Sequence, residues 1–222
     1  MANAKHQREL LNEAGAEMLF LCTKQLEKAK EAFFNNDSDL AEEVILTEAR
    51  VNALDLKIEK DCEKFLALYR PVAIDLRYIM AIRKINFDLE RIGDHAYSIS
   101  KYVVDIEKKI PNHLFEAIQF QTMYNTIDKM FEHITEAYEN KDVKVARKVF
   151  KKDKVLDKIN TDSFIILENE IKKDIEIISE SLLLFSVIKK MERVGDLIKN
   201  IAEEIIFYID AEVLKHKKKN SK

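Results

Sequence analysis

A chain of 222 residues, 47% of them apolar, is long enough to bury one sizeable core or two small ones, so disorder is excluded as its default state. Three glycines and two prolines are too few to turn many strands, and the abundance of Lys, Glu, Leu, Ile and Ala points to long helices with short connections. With 40 acidic against 37 basic residues there is no global positive field to hold nucleic acid or an anionic membrane surface.

The chain begins with charged residues and no apolar signal core, and its uninterrupted apolar runs, such as residues 182–185, are far too short to span a bilayer. These features predict a cytoplasmic protein without membrane insertion. The first predicted helix carries Cys22 within its periodic residues and runs to an Asn/Asp-rich turn at Asn35 and Asp37, where Asp37 or Ser38 is the expected N-cap of a second helix. Cys62 lies in that second helix. Without CxxC spacing both cysteines read as small buried apolar side chains in a reducing compartment, with neither a disulfide nor a thiolate metal site. Pro71 marks the next break and suits the first turn of a third helix, where its missing N–H would be unpaired anyway. In that third helix Ile82, Ile85, Leu89, Ile92, Ala96, Ile99, Val103 and Ile106 alternate steps of three and four, the mark of one apolar face. Pro111 separates the two halves.

The second half repeats the first. Glu90, Arg91, Ile92, Gly93 and Asp94 return as Glu192, Arg193, Val194, Gly195 and Asp196 at an offset of about 102 residues. The apolar seam returns as Leu184, Val187, Met191, Val194, Ile198, Ile201, Ile205 and Tyr208. Upstream, at an offset of about 105, Asn35, Asp37, Ala41, Val44, Glu48 and Asn52 pair with Asn140, Asp142, Ala146, Val149, Asp153 and Asp157. Loops between helices absorb the difference in offset. Asp142 is the expected N-cap in this half, and the last break falls near residues 172–175. Three amphipathic helices close around one core, so the predicted fold is all-α, a tandem repeat of two three-helix bundles. Residues 1–110 form the first bundle, residues 111–216 the second, and residues 217–222 end a basic, solvated, disordered tail that begins with Lys215, His216 and Lys217.

Each repeat sets two polar pairs at i and i+4, a spacing that puts both members on one helix face. They are Glu48 with Asn52 and Glu90 with Asp94 in the first repeat, and Asp153 with Asp157 and Glu192 with Asp196 in the second. A helical wheel places Glu90 and Asp94 roughly 130° from the centre of the apolar seam, at the bundle surface. Carboxylates gathered this closely need a cation or a basic side chain to neutralise them. All-oxygen ligands suit Mg²⁺, Mn²⁺, iron or carboxylate-bound Zn²⁺ better than a thiolate-seeking ion. Salt bridges to Arg91 and Arg193 are the competing explanation. Gly93 and Gly195 stand within helices, where glycine costs about 1 kcal/mol relative to alanine, so close helix approach is the expected reason for both. His95 has Leu197 in the matching place and reads as structural rather than as a ligand.

The stretch Val51, Asn52, Ala53 and Leu54 with Glu59, then Pro71, Val72, Ala73, Ile74, Asp75, Leu76 and Arg77, then Glu90, Arg91, Ile92, Gly93, Asp94, His95 and Ala96, resembles the PhoU family. The second copy of the Glu-Arg-x-Gly-Asp motif, ending at Asp196, completes the pattern, and the resemblance covers nearly the whole chain. It implies a cytoplasmic accessory protein of the phosphate ABC transporter, a negative regulator of phosphate uptake and of phosphate-starvation signalling. The implied partners are the transporter ATPase, the phosphate-sensing histidine kinase and a second copy of the chain in a homodimer. In some members the acidic motifs hold multinuclear iron or zinc. Carried over here, those positions are Glu48, Asn52, Glu90 and Asp94, then Asp153, Asp157, Glu192 and Asp196. Asn52 departs from a carboxylate and implies weaker or smaller loading of the first cluster. The second repeat lacks a counterpart of Asp75 and Arg77.

No catalytic residue is needed for such a role, and the chain is not read as an enzyme. A diiron-carboxylate oxidase or storage protein is the alternative from another class, but no Glu here is followed by His three residues later. There is likewise no G-x-S-x-G elbow, Gly-rich phosphate loop or HExxH. A metal-free helical adaptor keeps the fold and leaves the acidic pairs bridged to arginines.

Overall fold

The computed structural model describes residues 2–106 and 108–214. In the first half α1 (Ala2–Asn35), α2 (Ser38–Tyr69) and α3 (Ile74–Asp105) pack against one another. In the second, α4 (Asn112–Ala117), α5 (Phe120–Asn140), α6 (Val143–Ala146) and α7 (Val149–Lys173) lead through a 3₁₀ turn at Ile175–Ile177 into α8 (Ile178–Asp210). There α5, α7 and α8 form the second bundle. Among the described residues there is no strand.

The predicted caps are present. Asp37 accepts a hydrogen bond from the Leu40 N–H at 3.0 Å, and Asp142 accepts from Lys144 and Val145. Each thus satisfies donors that a helix start leaves unpaired. Asp174 does the same for Glu176 at the last break, inside the range read from the sequence.

Three local features differ from the sequence reading. Pro71 lies ahead of α3, not in its first turn. Proline disfavours right-handed helical geometry in the residue before it, so α2 ends at Tyr69. Arg70 (φ 45°) and Ala73 (φ 50°) then turn the chain before Ile74 starts α3. The second helix of the second half is also divided. Near residues 147–148 the Lys148 N–H bonds to Val145 and the Lys151 N–H to Lys148, the tighter i to i+3 pattern. Finally, the six-residue α4 was not anticipated. It brings Phe115 within 6.0 Å of Phe33, 5.1 Å of Phe34 and 5.0 Å of Phe120, an aromatic cluster that fastens the bundle connection to the end of α1.

The two apolar seams form the core as expected, every member being buried except the partly buried Ile106. The bundles meet along α3 and α8, which run antiparallel: the rings of Tyr78 and Tyr208 are 5.6 Å apart, and Lys84 reaches Glu204 at 3.1 Å. A second contact joins α1 to α5, where Lys30, 1% exposed, pairs with Asp128 and lies 3.9 Å from the Tyr124 ring centroid. Cys22 and Cys62 are free and buried, and burial pushes the Cys62 thiol up to about 12. The basic tail falls outside the described residues. No described helix is long and apolar enough to cross a membrane.

Candidate functional site on the acidic helix faces

In the first bundle α2 carries Glu48, Asn52 and Asp55, and α3 carries Glu90 and Asp94. Glu48 and Asp94 come together across the two helices, and Asn52 donates to Glu48. From α1 the Gln25 amide nitrogen adds a hydrogen bond to Glu48 at 3.1 Å. Asp55 is held by the amide of Asn86 at 2.6 Å. The electrostatics are unrelieved. Burial and then the Asp94, Asp55 and Glu48 charges push the Glu90 carboxyl up to about 7, with only Arg91 opposing them. Burial also raises Glu48 and Asp55. Burial and like charge thus favour the protonated form of Glu90.

The second bundle has the same layout and a different solution. Asp153 on α7 is buried, Asp196 approaches it from α8, and Glu192 lies near Asp196 and Asp157. Lys199, one turn beyond Asp196, sets its ammonium 2.7 Å from Asp153 and 2.6 Å from Asp196. Burial alone would lower the Lys199 pKa, but the hydrogen bonds to Asp153 and Asp196 outweigh it and hold it above the ordinary lysine value. Asp157 is exposed, and burial, then Asp196 and Asp157, raise Glu192. At the repeat offset, the place of Lys199 is taken in the first bundle by Tyr97.

The neutralising side chain is therefore Lys199 and not the arginines considered from sequence. Among the described residues neither Arg91 nor Arg193 forms an ion pair, and Arg91 lies over the Phe87 ring at 5.8 Å. Both arginines, with Lys190, face His95 near the seam of the bundles. Burial first, and then these three charges, bring its pKa down to about 4, and its Nε2 is buried without a partner.

The glycines behave as predicted. A Cβ on Gly195 would stand 2.3 Å from Leu156 Cδ1, and one on Gly93 would stand 3.1 Å from both Gln25 Oε1 and Val51 Cγ1. Each glycine lets the preceding helix approach beside the acidic pair. Sequence reasoning missed Gln25, Asp55 and Lys199. Asp55 lies seven residues after Glu48 and Lys199 three after Asp196, so face periodicity carried a signal for both. Gln25 belongs to α1 and had none.

Oxygen donors of this kind fit a hard or borderline divalent cation in the first bundle. The carboxylates are uncompensated there, and the buried Gln25 Oε1 beside them has no donor. The second set fits less well while the Lys199 ammonium lies between Asp153 and Asp196. Among the described residues no three His, Cys, Asp or Glu side chains converge as a metal would require. Loading thus entails rotation of side chains such as the exposed Asp94.

Paired three-helix bundles of like design, each with an acidic face on its second and third helices, define an all-α tandem-repeat protein. The chain belongs to the PhoU family, whose domain matches residues 16–103 and again 120–205. It is 30% identical over 196 residues to the phosphate-specific transport system accessory protein PhoU of Edwardsiella tarda, covering 88% of this chain and 80% of the relative. The PhoU homolog of Aquifex aeolicus is 31% identical over 199 residues, 90% of this chain and 89% of that one. The crystal structure of PhoU from Pseudomonas aeruginosa superposes with a TM-score of 0.87 at 26% identity, covering 94% of this chain and 99% of that one.

Proposed function

We propose that this protein is a non-enzymatic, cytoplasmic regulator of phosphate uptake and phosphate-starvation signalling. It acts by docking to the phosphate transporter ATPase and a phosphate-sensing kinase, as a homodimer. One observation carries the reading: the family match runs through both bundles, and its relatives bear the name of phosphate transport accessory protein. On this reading Glu48, Asn52, Glu90 and Asp94 hold a divalent metal, with iron or zinc favoured and Mg²⁺ or Mn²⁺ compatible. When bound, the ion supplies charge neutralisation and ties α2 to α3. Asp94 is exposed and exchanges its contact with Glu48 for the ion, Glu90 gives up its excess proton, and Gln25 keeps Glu48 oriented from behind.

A second reading, the metal-free adaptor, is favoured locally by Lys199, which already neutralises Asp153 and Asp196. The two separate in one experiment. The protein, purified without chelator or affinity metal, is analysed for metal beside Asp94→Ala plus Asp196→Ala, and both are expressed in a bacterium lacking its own family member. Restored repression of phosphate uptake with metal present, both lost in the double variant, supports the first reading. Restored repression without metal supports the adaptor, and no repression by the wild type refutes phosphate regulation.

A further inference from the structure

The contact between α1 and α5 leaves a groove of about 420 Å³ that belongs to neither acidic site. Phe131 lies in its floor, and the Phe20 side chain stands in it 64% exposed. Its rim is made of carboxylates, chiefly Glu27 from α1 and Glu132, Glu136 and Glu139 from α5, and among the described residues no lysine or arginine lines it. Glu27 is paired with Lys24 at 2.6 Å. Glu132, Glu136 and Glu139 are exposed and enter no ion pair among the described residues. Their spacing of four and three puts them on one face of α5 over roughly 10 Å of helix.

We infer that this groove docks a cationic amphipathic helix of a partner protein. Its apolar side chains would cover Phe20, and its lysines or arginines, one turn apart, would meet Glu132, Glu136 and Glu139. This rests on the reading of the chain as an interaction protein and names the chemistry of one partner surface. Charge complementarity decides the occupant. A row of unpaired carboxylates repels phosphate-bearing lipid or nucleic acid, whereas a basic helix face supplies both the cations and the apolar cover. The carboxylates are strung along the helix rather than gathered at one point, so a single metal ion does not satisfy them. The groove also has fixed ends. Lys30 pairs with Asp128 at one end, and the Tyr138 hydroxyl donates to the Asn12 carbonyl at 3.2 Å at the other. A helix seated between these ties touches both bundles at once.

The test uses the full chain and a synthetic amphipathic helix of leucine and lysine, followed by fluorescence anisotropy, with a leucine-glutamate helix as control. Glu132→Gln, Glu136→Gln and Glu139→Gln together, and separately Phe20→Ser, are compared with Glu42→Gln, Glu63→Gln and Glu116→Gln. That second triple makes the same charge change away from the groove. Three exposed ion pairs predict weakening of roughly three- to hundredfold for the groove triple. Binding of the lysine helix alone, lost in the groove triple and in Phe20→Ser but kept in the remote triple, is the expected result. Equal weakening by the two triples, equal binding of the glutamate helix, or a dimer in sedimentation that Phe20→Ser dissociates would each overturn the inference. Phosphate regulation is not read by this assay. Failure here with repression intact sinks the groove alone, and success here without repression sinks the phosphate reading alone.

Discussion

Lys199→Met removes the cation that pairs with both Asp153 and Asp196 while keeping an aliphatic side chain of similar length. In the wild type the ammonium spans Asp153, whose side chain is 9% exposed, and Asp196, which is 48% exposed. The Asp196 half of the interaction is screened by water and contributes less than about 1 kcal/mol. The Asp153 half is not. Stranding a buried carboxylate costs about 3–5 kcal/mol, with protonation as the escape. Protonating an aspartate of ordinary pKa at pH 7 caps the penalty at roughly 4 kcal/mol. A loss of about 3 kcal/mol, or roughly 6–12 °C in a chain of this size, is the expected outcome. Burial already raises the Asp153 pKa against the opposition of Lys199, and the variant raises it further. A folded-state pKa above the unfolded one means stability that falls as pH rises through that window, so the deficit shrinks at pH 5 and is full at pH 7.5. Guanidinium unfolding at both pH values in EDTA measures this, and a repeat in Mn²⁺ or Zn²⁺ tests whether a free ion replaces the tethered one. A variant within about 0.5 kcal/mol of wild type at pH 7.5 in EDTA would refute the reasoning, because the ammonium would then not be the counter-ion of Asp153.

Asp128→Asn strands the fully buried Lys30 ammonium between the bundles and is expected to cost about 3–5 kcal/mol, whereas Lys30→Met stays within roughly 1.5 kcal/mol of wild type. Thermal unfolding checks both, and because burial lowers the Lys30 pKa, the Asp128→Asn deficit should narrow as pH climbs toward 10. Glu90, with its pKa pushed up to about 7, binds a proton more tightly folded than unfolded, so stability in EDTA falls as pH rises from the usual carboxylate range to 7. Solvent screening limits this to the order of 1 kcal/mol, and Glu90→Gln should flatten that part of the pH profile.

The fold was legible because its cause is periodic. Steps of three and four through Ile82 and Ile99, and again through Leu184 and Ile201, can be buried only by long helices in bundles, and the structure buries them. Features set by single residues were not legible in the same way. The start of α3 depends on the positive φ of Arg70 and Ala73, which side chains of those types do not announce. Six residues of α4 are too short for a period, and their position follows from Phe115 meeting rings contributed by α1 and α5.

The site was legible as a repeat and misleading as a pair of equals. Aligning Glu90 with Glu192 and Asp94 with Asp196 located both acidic faces, and Asn52 alone pointed to the first as the weaker. Side-chain geometry levels the charge of the two motifs, because Lys199 offsets one of the four carboxylates of the second. Asn52 removes one carboxylate from the first cluster, yet Tyr97 supplies that cluster with no ammonium, whereas Lys199 at the equivalent place brings one within 2.7 Å of Asp153. A neutral ligand lowers the attraction of a site modestly, but a tethered ammonium competes with every incoming ion at an effectively fixed local concentration. Repeat symmetry therefore locates the two acidic faces, and on the proposed reading the residue one turn past the motif decides whether a neutralising cation comes from solution or from the chain.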